Sequence, residues 1–410
     1  MTKEKDLGSE LGHGAARFVR VMMAGALACL AQAVAGQPVP NVVAWGTFVD
    51  FYGEGFGAGS PTGSVTAPMW ATNVVAASGN FDHALALRGD GTVVGWGSNS
   101  YGQTNIPPVP GNVLAVAAGA DFSVLVEAAG TVVNWGIINA AGEPNVPTGL
   151  TNAVAVAAFG AAVGVGGPGC LALRADRTLA AWGMNSGGAL EVPAGLTNSV
   201  AIAGGVAHRL ALCPDGTPVT WGIDLLHSGV TNVPSSLTNA VAIAAGSFFS
   251  MALRADGTVV AWGYDFSGET NLPPDLTNVV AIAAGDSHCL ALRSDGTVVA
   301  WGDDSNGETD VPAGLTNVVS IAAGGYSSIA ITGTAMPPRQ VLVTNLAFGA
   351  GGFTATVPTD RMRVYALEYK NSPSDARWTL LPLVAGTGGA VTLSDPAPGP
   401  GQRFYRVRRW

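Results

Sequence analysis

Three short apolar runs recur in a fixed order along most of the chain. Residues 277–312 read TNVVAIAAGDSHCLALRSDGTVVAWGDDSNGETDVP, in which the runs are VVAIAAG, CLALR and TVVAWG, and nearly the same text stands 39 residues earlier. Such β-rich runs, bounded by turn-forming Gly, Asp and Asn, are typical of strands. The pattern therefore predicts units of three strands.

A tight turn joins the second and third strands of each unit. It is Asp-Gly in four units, at Asp90, Asp215, Asp256 and Asp295, and Ala-Gly or Asp-Arg in two others. Asp-Gly between strands is a strong signal for a hairpin in which both turn residues have positive φ. Each unit is therefore predicted to be an antiparallel meander, the sheet of one propeller blade.

The third run of every unit ends in Trp-Gly, and this dipeptide sets the period. Successive copies are separated by 51, 39, 47, 39, 41 and 39 residues, and a period near 40 indicates stacked supersecondary units. The copies are at Trp45, Trp96, Trp135, Trp182, Trp221, Trp262 and Trp301.

The two ends of the repeat array each lack a strand. First runs begin near Val74, Val113, Val154, Val200, Val241, Val279 and Val318, but the last has no Trp-Gly run after it. Conversely, NVVAWG at residues 41–46 has no partner before it. We predict that residues 41–46 pair into the blade of residues 317–332 and remove the open edges. The fold class is then all-β, a seven-bladed propeller over residues 36–333, closed by the N-terminal strand.

The motifs AAGxxHxLAL, DGTVxxWG and NSxGQT resemble the regulator of chromosome condensation repeat, over residues 41 to 332. The resemblance implies a seven-bladed propeller. Within the family, the chain looks most like short-repeat secreted bacterial members such as the type II β-lactamase inhibitory protein. The family's usual His is present at His83, His208 and His288, while other blades carry Phe or Ser there. We therefore interpret it as a packing position.

The N-terminus has the pattern of an export signal. Four basic residues precede an apolar run, residues 21–31, and Ala-Val-Ala at residues 33–35 is a small-x-small cleavage site. The run is too short to span a membrane as a helix. We predict a signal peptide at residues 1–35 and a secreted or cell-envelope location, with no membrane span.

Composition and charge narrow the function classes. Glycine accounts for 57 residues and charged residues for only 11%, which suits packed β-structure with many turns. Residues 36–338 hold six Arg and twenty-one Asp or Glu, a net charge of −15, whereas residues 339–410 carry +5. An acidic body repels phosphate backbones, so we predict no nucleic-acid partner.

The C-terminal part reads as a separate small domain. A Pro-marked linker at residues 334–340 precedes short alternating runs in residues 341–410, which predict a β-sandwich. The predicted strands are residues 341–346, 353–357, 364–369, 378–381, 390–393 and 404–407. The segments YALEYKNSPSDARW and QRFYRVR resemble fibronectin-like modules of secreted bacterial proteins. Docking on an anionic cell-surface polymer, docking on the acidic propeller, and mere solubility are all open readings of the +5 charge.

Two long loops and most aromatic residues outside the runs fall on one predicted face. Up-down strand order places the turn after AAG and the loop after Trp-Gly together; we call this the top face, and the side of the Asp-Gly turns the bottom face. The long loops are residues 47–65 and 159–169, and Phe48 belongs to the first. An acidic rim is predicted from Asp265, Glu269, Asp303, Asp304, Glu308 and Asp310. The candidate partner-binding residues are Phe51, Tyr52, Phe56, Tyr101, Tyr264, Phe266, Asp303 and Asp304.

Motifs that carry catalysis or bind cofactors are scarce. GVGGPG at residues 164–169 fits a dinucleotide fingerprint by letter but opens no helix, and HExxH, GxSxG and P-loop patterns are missing. Three cysteines remain after cleavage, and Cys170 and Cys289 occupy equivalent core positions. We predict no cofactor, no metal and no enzymatic activity.

The sequence thus predicts an exported, monomeric module that binds an unknown protein or cell-surface polymer through the top face. The alternative is a secreted protein inhibitor of an enzyme, which would plug a target cleft with the aromatic loops. A propeller lyase or hydrolase is a third class. It would need ionisable residues in the central channel, where the AIAAG strands offer mostly Ala and Gly.

Overall fold

A computed structural model describes the chain in the ranges that follow, all of which lie in the second of two compact units, residues 38–410. These are residues 41–50, 60–63, 65–109, 112–136, 145–160, 167–185, 187–224, 228–333, 343, 345–349, 352–372, 374–375, 378–398 and 403–410. The predicted signal peptide and linker lie outside them. In the described part of the chain, no helix has the length and apolar character needed to cross a bilayer.

Six blades are three-stranded antiparallel sheets of consecutive strands, as the repeat predicts. Blade 1 comprises β4 (Val74–Gly79), β5 (His83–Arg88) and β6 (Val93–Gly97). Blades 2 to 4 are β7 (Val113–Ala118), β8 (Phe122–Glu127), β9 (Val132–Gly136); β10 (Ala153–Phe159), β11 (Gly169–Arg174), β12 (Leu179–Gly183); and β13 (Ala201–Gly204), β14 (His208–Leu212), β15 (Pro218–Gly222). Blades 5 and 6 are β16 (Ala240–Ala245), β17 (Phe249–Arg254), β18 (Val259–Gly263); and β19 (Val279–Ala284), β20 (His288–Arg293), β21 (Val298–Gly302).

The seventh blade joins the two ends of the array and confirms the predicted closure. Its strands β22 (Val318–Ala323) and β23 (Ser327–Thr332) pair with each other, and β1 (Val42–Gly46) pairs antiparallel with β23. The register places Val42 opposite Ile331 and Trp45 opposite Ser328. The Trp45 indole N–H also donates to the Glu308 carbonyl oxygen at 2.8 Å, so β1 is held by the neighbouring blade as well.

Two features explain why Trp-Gly recurs. The Trp side chains are buried, and five of them donate the indole N–H to a carbonyl 31 or 32 residues earlier, which ties their blades to the preceding part of the chain. The Gly that follows has positive φ in all seven strands. At Gly46 a Cβ would lie 2.4 Å from the Tyr326 carbonyl oxygen, so only glycine fits.

The turn between the second and third strands differs from the predicted one. Only the second residue of Asp-Gly has positive φ, as at Gly91 (86°), while the Asp does not. The Arg88 N–H donates to the Thr92 carbonyl oxygen, which makes a three-residue loop with a left-handed third residue. The carboxylate of Asp90 accepts hydrogen bonds from both the N–H and the hydroxyl of Thr92, and these bonds hold the turn without a positive φ at Asp90.

The repeat's His is a packing residue, as predicted. All three imidazoles are almost fully buried, and each Nε2 lies within hydrogen-bond distance of a Ser hydroxyl in the next blade. The pairs are His83–Ser123, His208–Ser250 and His288–Ser328, at 2.9, 2.7 and 3.0 Å. Burial lowers the pKa of His208 to about 3 and of His288 to about 4, so these two rings are neutral links between blades.

The long loops start from buried aromatic residues. Residues 48–50 and 60–63 form a two-stranded ribbon, β2 (Phe48–Asp50) with β3 (Ser60–Gly63), which the sequence did not predict. Phe48 was expected on the exposed face but is fully buried in the core of blade 1, because it packs against the Val65 and Trp96 region. Likewise, Phe159 is buried beneath the Arg209 guanidinium, 3.2 Å from its ring centre.

The C-terminal module is a pair of small sheets with a shared core. One sheet has β24 (Asn345–Gly349), β25 (Gly352–Pro358) and β29 (Ala390–Asp395); the other has β26 (Val364–Lys370), β27 (Thr379–Leu380), β28 (Val384–Ala385) and β30 (Phe404–Arg409). The core includes Val357, Tyr365 and Leu393. The predicted first strand is shifted towards the C-terminus, and β28 was not predicted. A fibronectin-like identity stays a prediction, as do the domain boundaries.

This module packs against the bottom face of the propeller. The guanidinium of Arg361 donates to the Val113 carbonyl oxygen at 2.5 Å and to that of Gly89 at 3.3 Å. Arg408 donates to the Pro214 carbonyl oxygen at 2.7 Å. Apolar residues of the module, such as Leu383 and Trp410, belong to the same core cluster as residues of blades 3 to 5. Of the readings of the positive tail, docking on the propeller is the one that the structure shows.

Candidate functional site

The two classes of loop predicted to share the top face do so in the structure. In several blades the residue after Trp-Gly donates its N–H to a carbonyl in the turn between the first two strands. The bonds join Ser98 to Asp82, Tyr264 to Phe248 and Asp303 to Ser287, at 2.8, 2.9 and 2.8 Å. Residues that follow Trp-Gly are therefore fixed beside residues that follow AAG.

A cleft lies between blades 5 and 6 on the described part of this face. Tyr264 and Phe266 form one wall, with ring centres 6.0 Å apart and planes within 4° of parallel. Phe248, Glu269 and Asp286 also line the cleft, which has a volume of about 270 Å³. Phe266 is 80% exposed, which is unusual for a phenylalanine whose ring is already stacked.

Asp286 is the most perturbed carboxylic acid at this site. Burial raises its pKa to about 7, a hydrogen bond from the Tyr326 hydroxyl opposes that rise, and the carboxylates of Asp303, Glu269 and Glu308 add to it. Burial also raises the pKa of Tyr326, with Asp286 the next cause. A negative charge at Asp286 is therefore only partly compensated, which is a property of binding and catalytic sites more than of packing.

The predicted acidic rim divides into two kinds of residue. Glu269 and Glu308 were expected at the rim but are 3% and 1% exposed, because each folds back over its own loop. Glu308 accepts the Asn306 N–H and side-chain amide, and Glu269 accepts the Ser267 N–H. Of the other predicted rim residues, Asp265, Asp304 and Asp310 are exposed, and Asp303 is half-buried.

The candidate site residues are only partly brought together. Tyr264 and Phe266 are in contact, and Asp303 is close enough to Asp286 to raise its pKa. Asp304 is exposed in the same loop as Asp303 and accepts the Thr309 N–H. Tyr101, 36% exposed, lies in the corresponding loop of blade 1.

Three candidates, Phe51, Tyr52 and Phe56, lie outside the described residues, so their role stays a prediction. Conversely, sequence reasoning missed Phe248, Asp286 and Tyr326. An alignment of the repeats offers a signal, because the place of Asp286 is held in other blades by Phe81, Ala120, Val206, Ser247 and Gly325. An acid among these uncharged residues marks a departure from the repeat.

The central channel has a volume of about 270 Å³ and matches its predicted composition. Its walls are mainly the Ala and Gly residues of the first strands, with Asp286 near one end and Met362 of the C-terminal module near the other. Cys170 and Cys289 are buried and free, as interchangeable core residues. Within the described ranges, no group of three or more His, Cys, Asp or Glu side chains is arranged to hold a metal ion.

Comparisons with known proteins agree with the repeat and the ring. The family model described as "Regulator of chromosome condensation (RCC1) repeat" matches residues 74–103, 240–269 and 279–308. Parts of blades 1, 5 and 6 therefore match this repeat. This confirms the predicted resemblance, while the nearness to secreted bacterial members stays a prediction. A comparison with curated proteins finds no match.

Several solved structures are similar to the fold of this chain. Prp20p from Saccharomyces cerevisiae is 18% identical, with 73% of this chain and 92% of that chain covered and a TM-score of 0.56. Human WBSCR16 is 18% identical, with 72% and 99% covered and a TM-score of 0.54. The ectodomain of the Arabidopsis thaliana receptor kinase ACR4 is 21% identical, with 65% and 96% covered and a TM-score of 0.50. At these identities the likeness establishes the fold alone.

Proposed function

We propose that this protein is an exported RCC1-type propeller that binds a protein partner through its top face. The observation that carries the proposal is the cleft of blades 5 and 6, where an exposed, stacked aromatic pair adjoins the incompletely compensated carboxylate of Asp286. Rigid aromatic anchors beside polar groups are the composition of interface hot spots.

Two further points support this reading. The bottom face is already covered in part by the C-terminal module, so the top face is the larger unoccupied end of the described ring. RCC1-like propellers commonly mediate protein binding, and Prp20p is described with binding properties to Gsp1p and histones. Export rests on the signal-like residues 1–35, and the non-enzymatic assignment rests on the scarcity of catalytic motifs.

The partner is sought by capture from envelope and culture-medium fractions with the purified chain, followed by titration calorimetry. Replacing both Tyr264 and Phe266 by Ala is expected to weaken binding by a few kcal/mol, since two central anchors are lost. The matched control is Met69→Ala with Trp70→Ala. These side chains are 84% and 51% exposed and lie in the crossing before blade 1 on the bottom face.

Equal affinities of the two double variants would refute the top-face assignment, and a larger loss from the bottom pair would reverse it. Export is tested separately by comparing the location of tagged chains with and without residues 1–35. Retention of the full chain in the cytoplasm would contradict it.

A further inference from the structure

A second cleft lies on the other side of the molecule, between the propeller and the C-terminal module. Its volume is about 540 Å³, within the range of small-molecule sites. The propeller contributes the bottom ends of blades 5 and 6 with Val319 of blade 7, and the module contributes Arg363, just before β26, and the end of the chain from Arg406 to Trp410. The cleft shares no residue with the site on the top face.

Guanidinium groups dominate the charge of this cleft. Five arginines line it, one from the propeller and four from the module: Arg254, Arg363, Arg406, Arg408 and Arg409. Two carboxylates neutralise part of this charge. Glu368 pairs with Arg406 and, at 3.6 Å, with Arg408, and Asp360 pairs with Arg409 at 3.0 Å. Five guanidinium groups against two carboxylates leave positive charge in excess.

The excess is concentrated on two side chains. Among the described residues, neither Arg254 nor Arg363 makes a side-chain hydrogen bond or an ion pair, although both line the cleft. Arg363 is half-buried. Burial lowers its pKa, the positive charge of Arg409 lowers it further, and Asp360 opposes both. Because both guanidinium groups are half-buried and line the cleft without a side-chain partner, their N–H donors are available to an anion bound there.

The remaining walls are apolar. Val241, Leu253 and Val280 come from blades 5 and 6, and the ring of Trp410 comes from the end of the module. The guanidinium carbon of Arg408 lies 4.9 Å from the centre of that ring, and this cation–π contact holds the indole beside the arginine side chains of the cleft. The cleft therefore offers an oxyanion-binding end and a surface for an organic group.

We propose that this cleft binds a small organic phosphate or sulfate ester, with the oxyanion between Arg254 and Arg363 and the organic group against the apolar wall. Planar guanidinium groups bind tetrahedral oxyanions through paired N–H donors, and two such groups suit a doubly charged phosphate. The inference concerns a different site from the top face and stands whether or not that face binds a protein.

The test is titration calorimetry of the full chain with phenyl phosphate, with phenyl sulfate, inorganic phosphate and phenol as comparison probes. We expect saturable binding of the two esters, weaker binding of inorganic phosphate and none of phenol. Arg363→Gln and Arg254→Gln are each expected to weaken phenyl phosphate binding about tenfold or more, the usual effect of losing a charge-assisted contact.

The control is Arg88→Gln, because Arg88 holds the same repeat position as Arg254 in blade 1 but bonds the Trp70 carbonyl oxygen outside this cleft. It should leave the affinity unchanged. Arg363→Gln should also raise the thermal midpoint without ligand, which shows that lost binding is not lost folding.

Absence of saturable ester binding would overturn the proposal, as would unchanged affinity in both cleft variants or an equal loss in Arg88→Gln. Phenol binding as tightly as phenyl phosphate would overturn the oxyanion assignment. Inorganic phosphate binding as tightly as the ester would overturn the role of the apolar wall.

Discussion

Four aspartates on the bottom face of the propeller and Asp286 on the top face have pKa values shifted in opposite directions. On the bottom face the turn residues Asp90, Asp176, Asp256 and Asp295 have lowered pKa values, chiefly because each accepts the N–H and hydroxyl of the Thr two residues on. On the top face, burial and neighbouring carboxylates raise the pKa of Asp286. Ionisation of the four bottom-face aspartates therefore stabilises the fold, whereas ionisation of Asp286 lowers the free energy of unfolding.

The contrast separates structural from functional residues within one repeat. The contact from the N–H of a Thr to the Asp two residues before it recurs in five blades, so it belongs to the repeat itself. Asp286 is an acid at a place where Phe81, Ala120, Val206, Ser247 and Gly325 in other blades are uncharged. A residue that departs from its repeat and lowers stability is where a binding role is expected.

Both faces depend on the closed ring, and opening it should have the largest effect. We compare chains that begin at residue 36 and at residue 47; the second lacks β1. Loss of Trp45 alone removes a buried indole, which typically costs about 3–5 kcal/mol, and five backbone pairs are lost with it. Thermal unfolding followed by circular dichroism should show a marked fall in midpoint. An unchanged midpoint would mean that the ring does not need β1.

The next effect concerns how the bottom face holds the module. Arg361→Ala removes a buried guanidinium that donates to the carbonyl oxygens of Val113 and Gly89, so the free energy of unfolding should fall by about 1.5–3 kcal/mol. The module should also become sensitive to limited proteolysis before the propeller does. Arg403→Ala is the control, since Arg403 pairs with Asp395 inside the module. Equal protease sensitivity of the two variants would contradict docking through Arg361.

A smaller effect of opposite sign is expected at Asp286. Its folded pKa of about 7 exceeds the ordinary value of 3.8, so its destabilising contribution grows as the pH rises from about 4 to 7 and is constant above. Asp286→Asn should therefore raise stability above pH 7, on the order of 1 kcal/mol, and change nothing below pH 4. Asp304→Asn, at an exposed position, is the control. A variant less stable than the parent at pH 8 would contradict this account.

The repeat made the fold predictable from the sequence. The opposite pKa shifts of the bottom-face aspartates and Asp286 could not be predicted from it. Trp-Gly, AAG and Asp-Gly are local patterns, so blade number, strand order and even the closing strand could be read from the chain. The state of Asp286 depends on Glu269, Asp303, Glu308 and Tyr326, which come together only in the ring. Similarly, the bond from Arg361 to Val113 spans 248 residues, and no local pattern foretells it.

The smallest expected effect tests the bottom carboxylates, using Asp90→Asn. The folded pKa of Asp90 is below 3.8, so its stabilising contribution is present above that pH and is lost as the pH falls through the folded pKa. Because Asp90 is largely exposed, the variant should lose only about 0.3–0.5 kcal/mol at pH 7 and nothing at pH 2. Chemical denaturation across this range measures both differences. The Asp90 and Asp286 difference curves should have opposite signs at neutral pH, and curves of the same sign would remove the distinction between the two faces.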